Sequence, residues 1–190
     1  MNPFSITVDY IEGQADGTIR VEVKTNNIIL YQIPRNSAQN LTDRDELKKA
    51  GIYLLLNRER RNLYIGQADL RSNGEGVLNR MLESHSDPEI DSWQVAFVLT
   101  SSTPSFLGAT ELNYLEKFFY DEALRCGRYN LLNKIPPHSG EISPSTKMIS
   151  LLSSCYGINS DARFLFLGDR FPVVELIEPQ RARKTGCRKL

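Results

Sequence analysis

Gly51-Ile52-Tyr53 and Tyr64-Ile65-Gly66 are separated by ten residues, and that spacing leaves the middle of the chain little choice of fold. Each tripeptide opens or sits within a strand-like run, GIYLLL at 51–56 and NLYIGQA at 62–68. The connection between them, Asn57-Arg58-Glu59-Arg60-Arg61, is polar and charged. Two apolar runs joined by a short polar segment specify an antiparallel hairpin. A four-residue loop at 57–60 pairs Leu56 with Arg61, Leu54 with Leu63 and Tyr53 with Tyr64. Residues opposed in such a pair project from the same face. The pairing therefore predicts two phenols side by side on one face, with Ile52, Leu54, Leu63 and Ile65 on the other. Strand propensity alone also favours tyrosines here, so their chemical meaning depends on residues further along the chain.

Upstream, the run at 4–10 alternates, residues 13–17 (GQADG) carry turn chemistry, and Ile19, Val21 and Val23 alternate with Arg20, Glu22 and Lys24. That alternation marks a strand with one wet face. A third strand at 28–33 ends at Pro34, so a small N-terminal β-meander is expected. Thr42-Asp43-Arg44-Asp45 has capping-box-like spacing and predicts a short helix ending at Lys49. Downstream, 76–83 reads as a short helix with Val77, Leu78, Met81 and Leu82 apolar. Residues 93–100 (WQVAFVLT) read as a strand. A long helix is expected from a Thr110 cap to Arg125, stopped by Gly127. After the Pro136-Pro137 turn come a helix at 145–155 and strands near 164–167 and 172–177. The expected organisation is an N-terminal β extension and lead-in helix at 1–45, a central domain at 46–140, a C-terminal extension at 141–178 and a basic tail at 179–190.

Charge narrows the choice of partner. The 190 residues carry 23 basic and 23 acidic side chains. Arg181, Arg183, Lys184, Arg188 and Lys189 lie in the tail with one acid, so residues 1–177 hold the remaining 18 basic and 22 acidic groups, a net of −4. A basic tail can contact phosphates or remain a solvated terminus. A protein acting on nucleic acid from this composition must concentrate positive charge locally. Cys126, Cys155 and Cys187 are scattered and show neither zinc spacing nor a disulfide framework. With no basic-then-apolar leader in MNPFSITVDY and no membrane-length apolar run, a soluble cytoplasmic protein is expected.

Glu116 is the second strong feature. On a helical wheel it lies about 40° from Leu112, on the stripe shared with Leu115, Phe119 and Ala123. A carboxylate on an apolar stripe must be paired, metal-bound or neutral. An internal salt bridge and a divalent-cation site are both open. Arg80 lies on the polar side of its short helix, either as a surface arginine or as a planar fork for phosphate oxygens. His85, just past that helix, is either structural or a proton carrier near neutral pH. Gly74 and Gly76 lack the Walker lysine and the dinucleotide-binding spacing, and read as a turn. No Ser-His-Asp constellation is recognisable, and Cys126 has no evident histidine partner.

Gly-Ile-Tyr at 51–53, Tyr-Ile-Gly at 64–66, Arg80 on the next helix, Glu116 inside the following long helix and the asparagine of Arg128-Tyr129-Asn130 together resemble the GIY-YIG nuclease superfamily. The resemblance covers about residues 50–134. The N-terminal stretch is similar to that of a bacterial subgroup, in which a small β region and the phrase Ile33-Pro34-Arg35 lead through a short helix into the tyrosine hairpin. Some of that subgroup continue into a C-terminal domain, of which 141–177 would be a variant.

The resemblance implies an α+β fold (an α/β sandwich), with a three-stranded antiparallel sheet flanked by helices. An N-terminal β-meander and a small C-terminal α/β extension accompany that sheet. It implies an endonuclease that hydrolyses phosphodiester bonds in DNA with one Mg²⁺ or Mn²⁺. Glu116 would be the metal ligand and Arg80 would stabilise charge on the phosphoryl oxygens. Tyr53 and Tyr64 would orient or deprotonate the attacking water, Asn130 would support the site by hydrogen bonding, with Asn133 as the alternative, and His85 would complete it. Recombination, repair, restriction and phage defence are all compatible settings. Two departures stand out: Gln67 occupies a region where many members carry a lysine, and His85 follows Arg80 by five residues where four is usual. A module that keeps the fold without cleaving, or an interaction protein with a salt-bridged Glu116, is the alternative.

Overall fold

The computed structural model describes residues 6–14, 16–23, 27–69, 76–85, 87–103 and 106–138. The helix expected at 145–155, the strands expected near 164–167 and 172–177 and the basic tail lie outside the described residues. The elements are β1 (Ile6–Tyr10), β2 (Ile19–Val23), β3 (Ile28–Pro34), β4 (Gly51–Asn57), β5 (Asn62–Ala68), α1 (Val77–Leu82), α2 (Pro88–Asp91), β6 (Val95–Ser101), α3 (Ala109–Cys126) and β7 (Asn130–Leu131). Two 3₁₀ helices, Arg35–Leu41 and Asp45–Lys48, lie between β3 and β4. Among the described residues no helix is long and apolar enough to cross a membrane.

The protein is a mixed α/β structure built on one seven-stranded sheet in the order β1-β2-β3-β6-β4-β5-β7, with few helices. Every pairing is antiparallel except β5 with β7. The expected three antiparallel strands are present as β6-β4-β5, within a larger sheet. A sheet of β6, β4 and β5 alone would leave β6 with an open row of backbone donors and acceptors, a template for unwanted pairing. Strand β3 closes that edge along its whole length, from Ile28 opposite Ser101 to Pro34 opposite Val95. The meander is thus an extension of the central sheet. β4 and β6, now interior, are buried at every position, which explains why they read as continuous apolar runs.

The hairpin differs in register from the expected one. Asn57 pairs with Asn62, the loop is 58–61, Leu55 faces Tyr64 and Tyr53 faces Gly66. Asn57 belongs to the strand because its amide is used at both ends. Its Oδ1 accepts from the Arg60 N–H at 3.0 Å, as turn-initiating asparagines do, and its Nδ2 donates to the Ser92 carbonyl at 2.7 Å. Arg61, with φ of 54°, closes the loop in the left-handed region. Each strand slides by one residue, a combined shift of two, which leaves the faces unchanged. Tyr53 and Tyr64 share a face as diagonal neighbours.

One face of the sheet packs Ile52, Leu54, Leu56, Leu63, Ile65, Phe97 and Leu99 against Leu112, Leu115, Phe119 and Ala123 of α3. Each large side chain buried there contributes roughly 1.5–3 kcal/mol. The other face gathers Tyr31, Tyr53, Leu55, Trp93 and Val98 under α1, α2 and the 3₁₀ helices, through Leu41, Leu47, Val77, Leu78, Met81 and Ile90. Local endings differ from expectation in three places. The lead-in segment forms 3₁₀ turns, with Thr42 closing the first instead of capping a helix. α3 is capped at Gly108, whose N–H donates to Glu111 Oε2 at 3.0 Å, so Thr110 is already helical. Strand β6 begins at Val95, beyond Trp93. The stop at Gly127 is as expected: φ is 60°, and its N–H donates to the Ala123 carbonyl at 3.1 Å.

Candidate active site

Tyr53 projects from the centre of β4 and is 1% exposed. Its ring crosses the neighbouring strand over Gly66. A Cβ at Gly66 would fall 2.4 Å from Tyr53 Cζ and 2.5 Å from its hydroxyl oxygen. The glycine that ends the second tripeptide is therefore the space the first tyrosine occupies. Tyr64, one step along β5, is half-buried, and the two ring centroids are 6.1 Å apart at 48°. Burial drives the Tyr53 phenol well above its ordinary range. The neighbouring Tyr64, a hydrogen bond with it and the Glu116 charge act the same way, and Arg80 opposes them. Tyr53 is consequently a protonated hydrogen-bond partner at neutral pH.

Arg80 stands on α1, partly exposed, ion-paired with Glu83 one turn on. Burial alone would weaken its charge; the pair with Glu83 and the nearby Tyr53 and Tyr64 phenols outweigh that and hold the guanidinium cationic. Glu116 lies on α3 and is half-buried, beside the fully buried Leu112 and Leu115. Burial raises its pKa, and a hydrogen bond from Gln67 opposes the rise. That bond runs from Gln67 Nε2 to Glu116 Oε2 at 3.0 Å, and the same amide donates to Asn113 Oδ1 at 2.7 Å. Gln67 faces Ile52 across the hairpin and so projects on the α3 side. The carboxylate and the phenols thus approach β5 from opposite faces. Strand β7 pairs only with Asn62 and Leu63, and Gly66 has no side chain.

Of the six residues expected in the site, Tyr53, Tyr64, Arg80 and His85 lie on one side of the sheet and Glu116 on the other. His85 packs its ring edge-on against Tyr64, with centroids 5.2 Å apart. Asn130 is the exception. It is exposed, its amide donates weakly to Asn62 Oδ1 at 3.4 Å, and it sits at the loop end of β5. Asn133 is the asparagine beside the tyrosines. Its Nδ2 donates to the Ile65 carbonyl at 2.7 Å, and its Oδ1 accepts from the Ile65 N–H at 3.1 Å. A side-chain amide here takes over the ladder where β7 ends, one residue from both Tyr64 and Gly66.

Sequence reasoning missed α2 and its Asp91. The signal was Asp87-Pro88: Asp87 Oδ1 accepts from the Glu89 N–H at 3.1 Å with proline at the first helical position. It also missed the roles of Gln67 and Asn113 in holding Glu116. Among the described residues no group of three or more His, Cys, Asp or Glu side chains could hold a metal ion together. Glu116 offers one hard oxygen donor. That set suits a cation such as Mg²⁺, which commonly keeps several waters and binds through one or two carboxylates plus substrate phosphate. Comparison of the chain with protein families, with curated proteins and with solved structures found no match.

Proposed function

We propose that this protein is a metal-dependent endonuclease of the GIY-YIG type, hydrolysing phosphodiester bonds in DNA at the margin of β5. The observation that carries the proposal is the grouping of the Tyr53, Tyr64 and His85 rings, with centroids 6.1 and 5.2 Å apart, beneath the helix that bears Arg80, with Gln67 of β5 holding Glu116 on the opposite face. Two phenols and a cation beside β5, with a carboxylate held to the same strand by Gln67, supply the groups that a scissile phosphate requires. The Arg80 fork binds phosphoryl oxygens and stabilises the charge that develops on them. Tyr53, kept protonated by burial, donates a hydrogen bond and orients. Tyr64, the less buried of the two, is the phenol that can meet the attacking water. Glu116 would hold the Mg²⁺ or Mn²⁺, which when bound polarises the phosphate and neutralises the leaving oxygen. Gln67 and Asn113 keep that carboxylate in place.

A second reading, a module that binds nucleic acid without cleaving it, draws on the same side chains. Arg80 is tied to Glu83, and Glu116 accepts from Gln67. Incubation of supercoiled plasmid and of labelled single-stranded DNA and RNA with Mg²⁺, Mn²⁺ or EDTA separates the two. The nuclease reading predicts metal-dependent nicking that is lost in Glu116→Ala, Arg80→Ala and Tyr64→Phe. Salt-sensitive retention of DNA without cleavage under every metal would overturn it in favour of the binding module.

A further inference from the structure

The His85 side chain is nine-tenths buried. Its Nδ1 lies 3.0 Å from Asp91 Oδ1, and the same oxygen accepts from the His85 backbone N–H at 3.0 Å. The second Asp91 oxygen accepts from Ser84 Oγ at 3.1 Å. An ionised carboxylate only accepts hydrogen bonds, so Nδ1 must be the nitrogen that carries the proton. In the neutral imidazole Nε2 is then bare. That atom is buried and has no hydrogen-bond partner among the described residues, in a ring that packs edge-on against Tyr64. A buried polar atom without a partner is costly and uncommon in a folded protein. Here it belongs to the ring that packs against Tyr64.

Asp91 is itself anchored from the N-terminal part of the chain. The Arg35 guanidinium donates to the Asp91 carbonyl, and at 3.2 Å to the Trp93 carbonyl, and stacks 5.0 Å from the centre of the Trp93 ring. Arg35 follows β3 directly, so the meander has a physical connection to the site through the end of α2.

We propose that Asp91 is a positioning residue: it fixes the tautomer and the plane of the His85 imidazole, so that Nε2 is presented unprotonated beside Tyr64. Arg35 holds the α2 terminus from which Asp91 acts. A proton released on the Tyr64 side of the site then has a bare nitrogen to move to, and the resulting imidazolium keeps Asp91 as its counter-charge. The use of this pair in catalysis rests on the nuclease reading; the tautomer does not.

The chain has two histidines, so a long-range ¹⁵N–¹H spectrum of the histidine-labelled full chain above neutral pH is readily assigned with His138→Gln. The expected result is a protonated Nδ1 and an unprotonated Nε2 for His85, with Asp91→Ala moving the population towards the Nε2-protonated form. A wild-type spectrum with Nε2 protonated overturns the proposal without any variant, as does an Asp91→Ala spectrum unchanged from wild type in a folded protein. Cleavage adds an independent arm: Asp91→Ala is expected to lower kcat about tenfold or more with KM little changed. The expected tautomer in a protein that cleaves nothing would leave the Asp91–His85 pair standing and defeat the nuclease reading. Cleavage by a protein with Nε2 protonated would do the reverse.

Discussion

The two faces of the β4–β5 hairpin are built from alternate residues of the same strands, yet they do different work. On the α3 face, Ile52, Leu54, Leu63 and Ile65 meet an 18-residue helix through side chains with no polar atoms. On the other face, Tyr53 and Tyr64 lie under short helices of six and four residues, among a guanidinium, an imidazole and a carboxylate. Polar groups of this kind add little net stability for their burial, because desolvation offsets most of what their hydrogen bonds return. The contrast puts apolar packing on one face and, on the other, the groups to which the proposed function gives the chemistry. Glu116 stands on the packing helix and, in the proposed function, acts at the margin of the other face.

The sharpest way to break that division is to change neighbours on α3. Glu116→Ala is expected to reduce cleavage by about 10³-fold, roughly 4 kcal/mol of transition-state stabilisation, while shifting unfolding by less than about 1 kcal/mol. Leu115→Ala should do the opposite: a loss of about 2–5 kcal/mol in denaturant unfolding, with the residual folded protein retaining its kcat. If both variants lost the same property, the faces would not be separable. Gly66→Ala tests the space that the Tyr53 ring occupies over β5. The new methyl would displace the Tyr53 ring, and a cost of about 1–3 kcal/mol is expected for overpacking, accompanied by loss of cleavage. Wild-type stability in that variant would show that Tyr53 does not need the space.

A smaller effect separates the two asparagines. Asn133→Ala removes both hydrogen bonds to Ile65 and should cost about 1–2 kcal/mol with a fall in cleavage. Asn130→Ala should be near neutral in both. The smallest effect near neutral pH concerns proton linkage. Burial holds Tyr53 above its ordinary pKa, and burial with the Glu46 carboxylate does so for Tyr31. In the unfolded chain both ionise near pH 10. Stability is therefore intact below about pH 10 and falls as pH rises beyond it, because the folded state keeps protons that the unfolded state releases. Absorbance titration should find two of the eight tyrosines silent until the protein unfolds. Ionisation of all eight with ordinary midpoints in the native state would contradict this.

The faces of the hairpin were legible because side-chain alternation has period two, and the actual register differs from the simplest one by a combined shift of two. The same insensitivity hid the register itself: nothing in the pattern said that Asn57 would be pinned by Ser92, 35 residues away. The position of Glu116 on an apolar stripe could be read from helical spacing alone. Joining of the meander to the central sheet depended on β3 meeting β6, a pairing between distant parts of the chain that no local pattern encodes. Asn133 and Asn130 lie in one short segment. Which of them serves Ile65 is decided by where β7 stops. α2 is only four residues long, below the length at which apolar periodicity can be seen.

The central claim is that Glu116 and the two phenols share one cation site although they approach β5 from opposite faces. Paramagnetic broadening by Mn²⁺ of the ring signals of selectively labelled tyrosines measures this directly. The account predicts that Tyr53 and Tyr64 broaden before the other tyrosines and that Glu116→Ala abolishes their broadening. Broadening that spares both phenols, or that persists unchanged in Glu116→Ala, would contradict it.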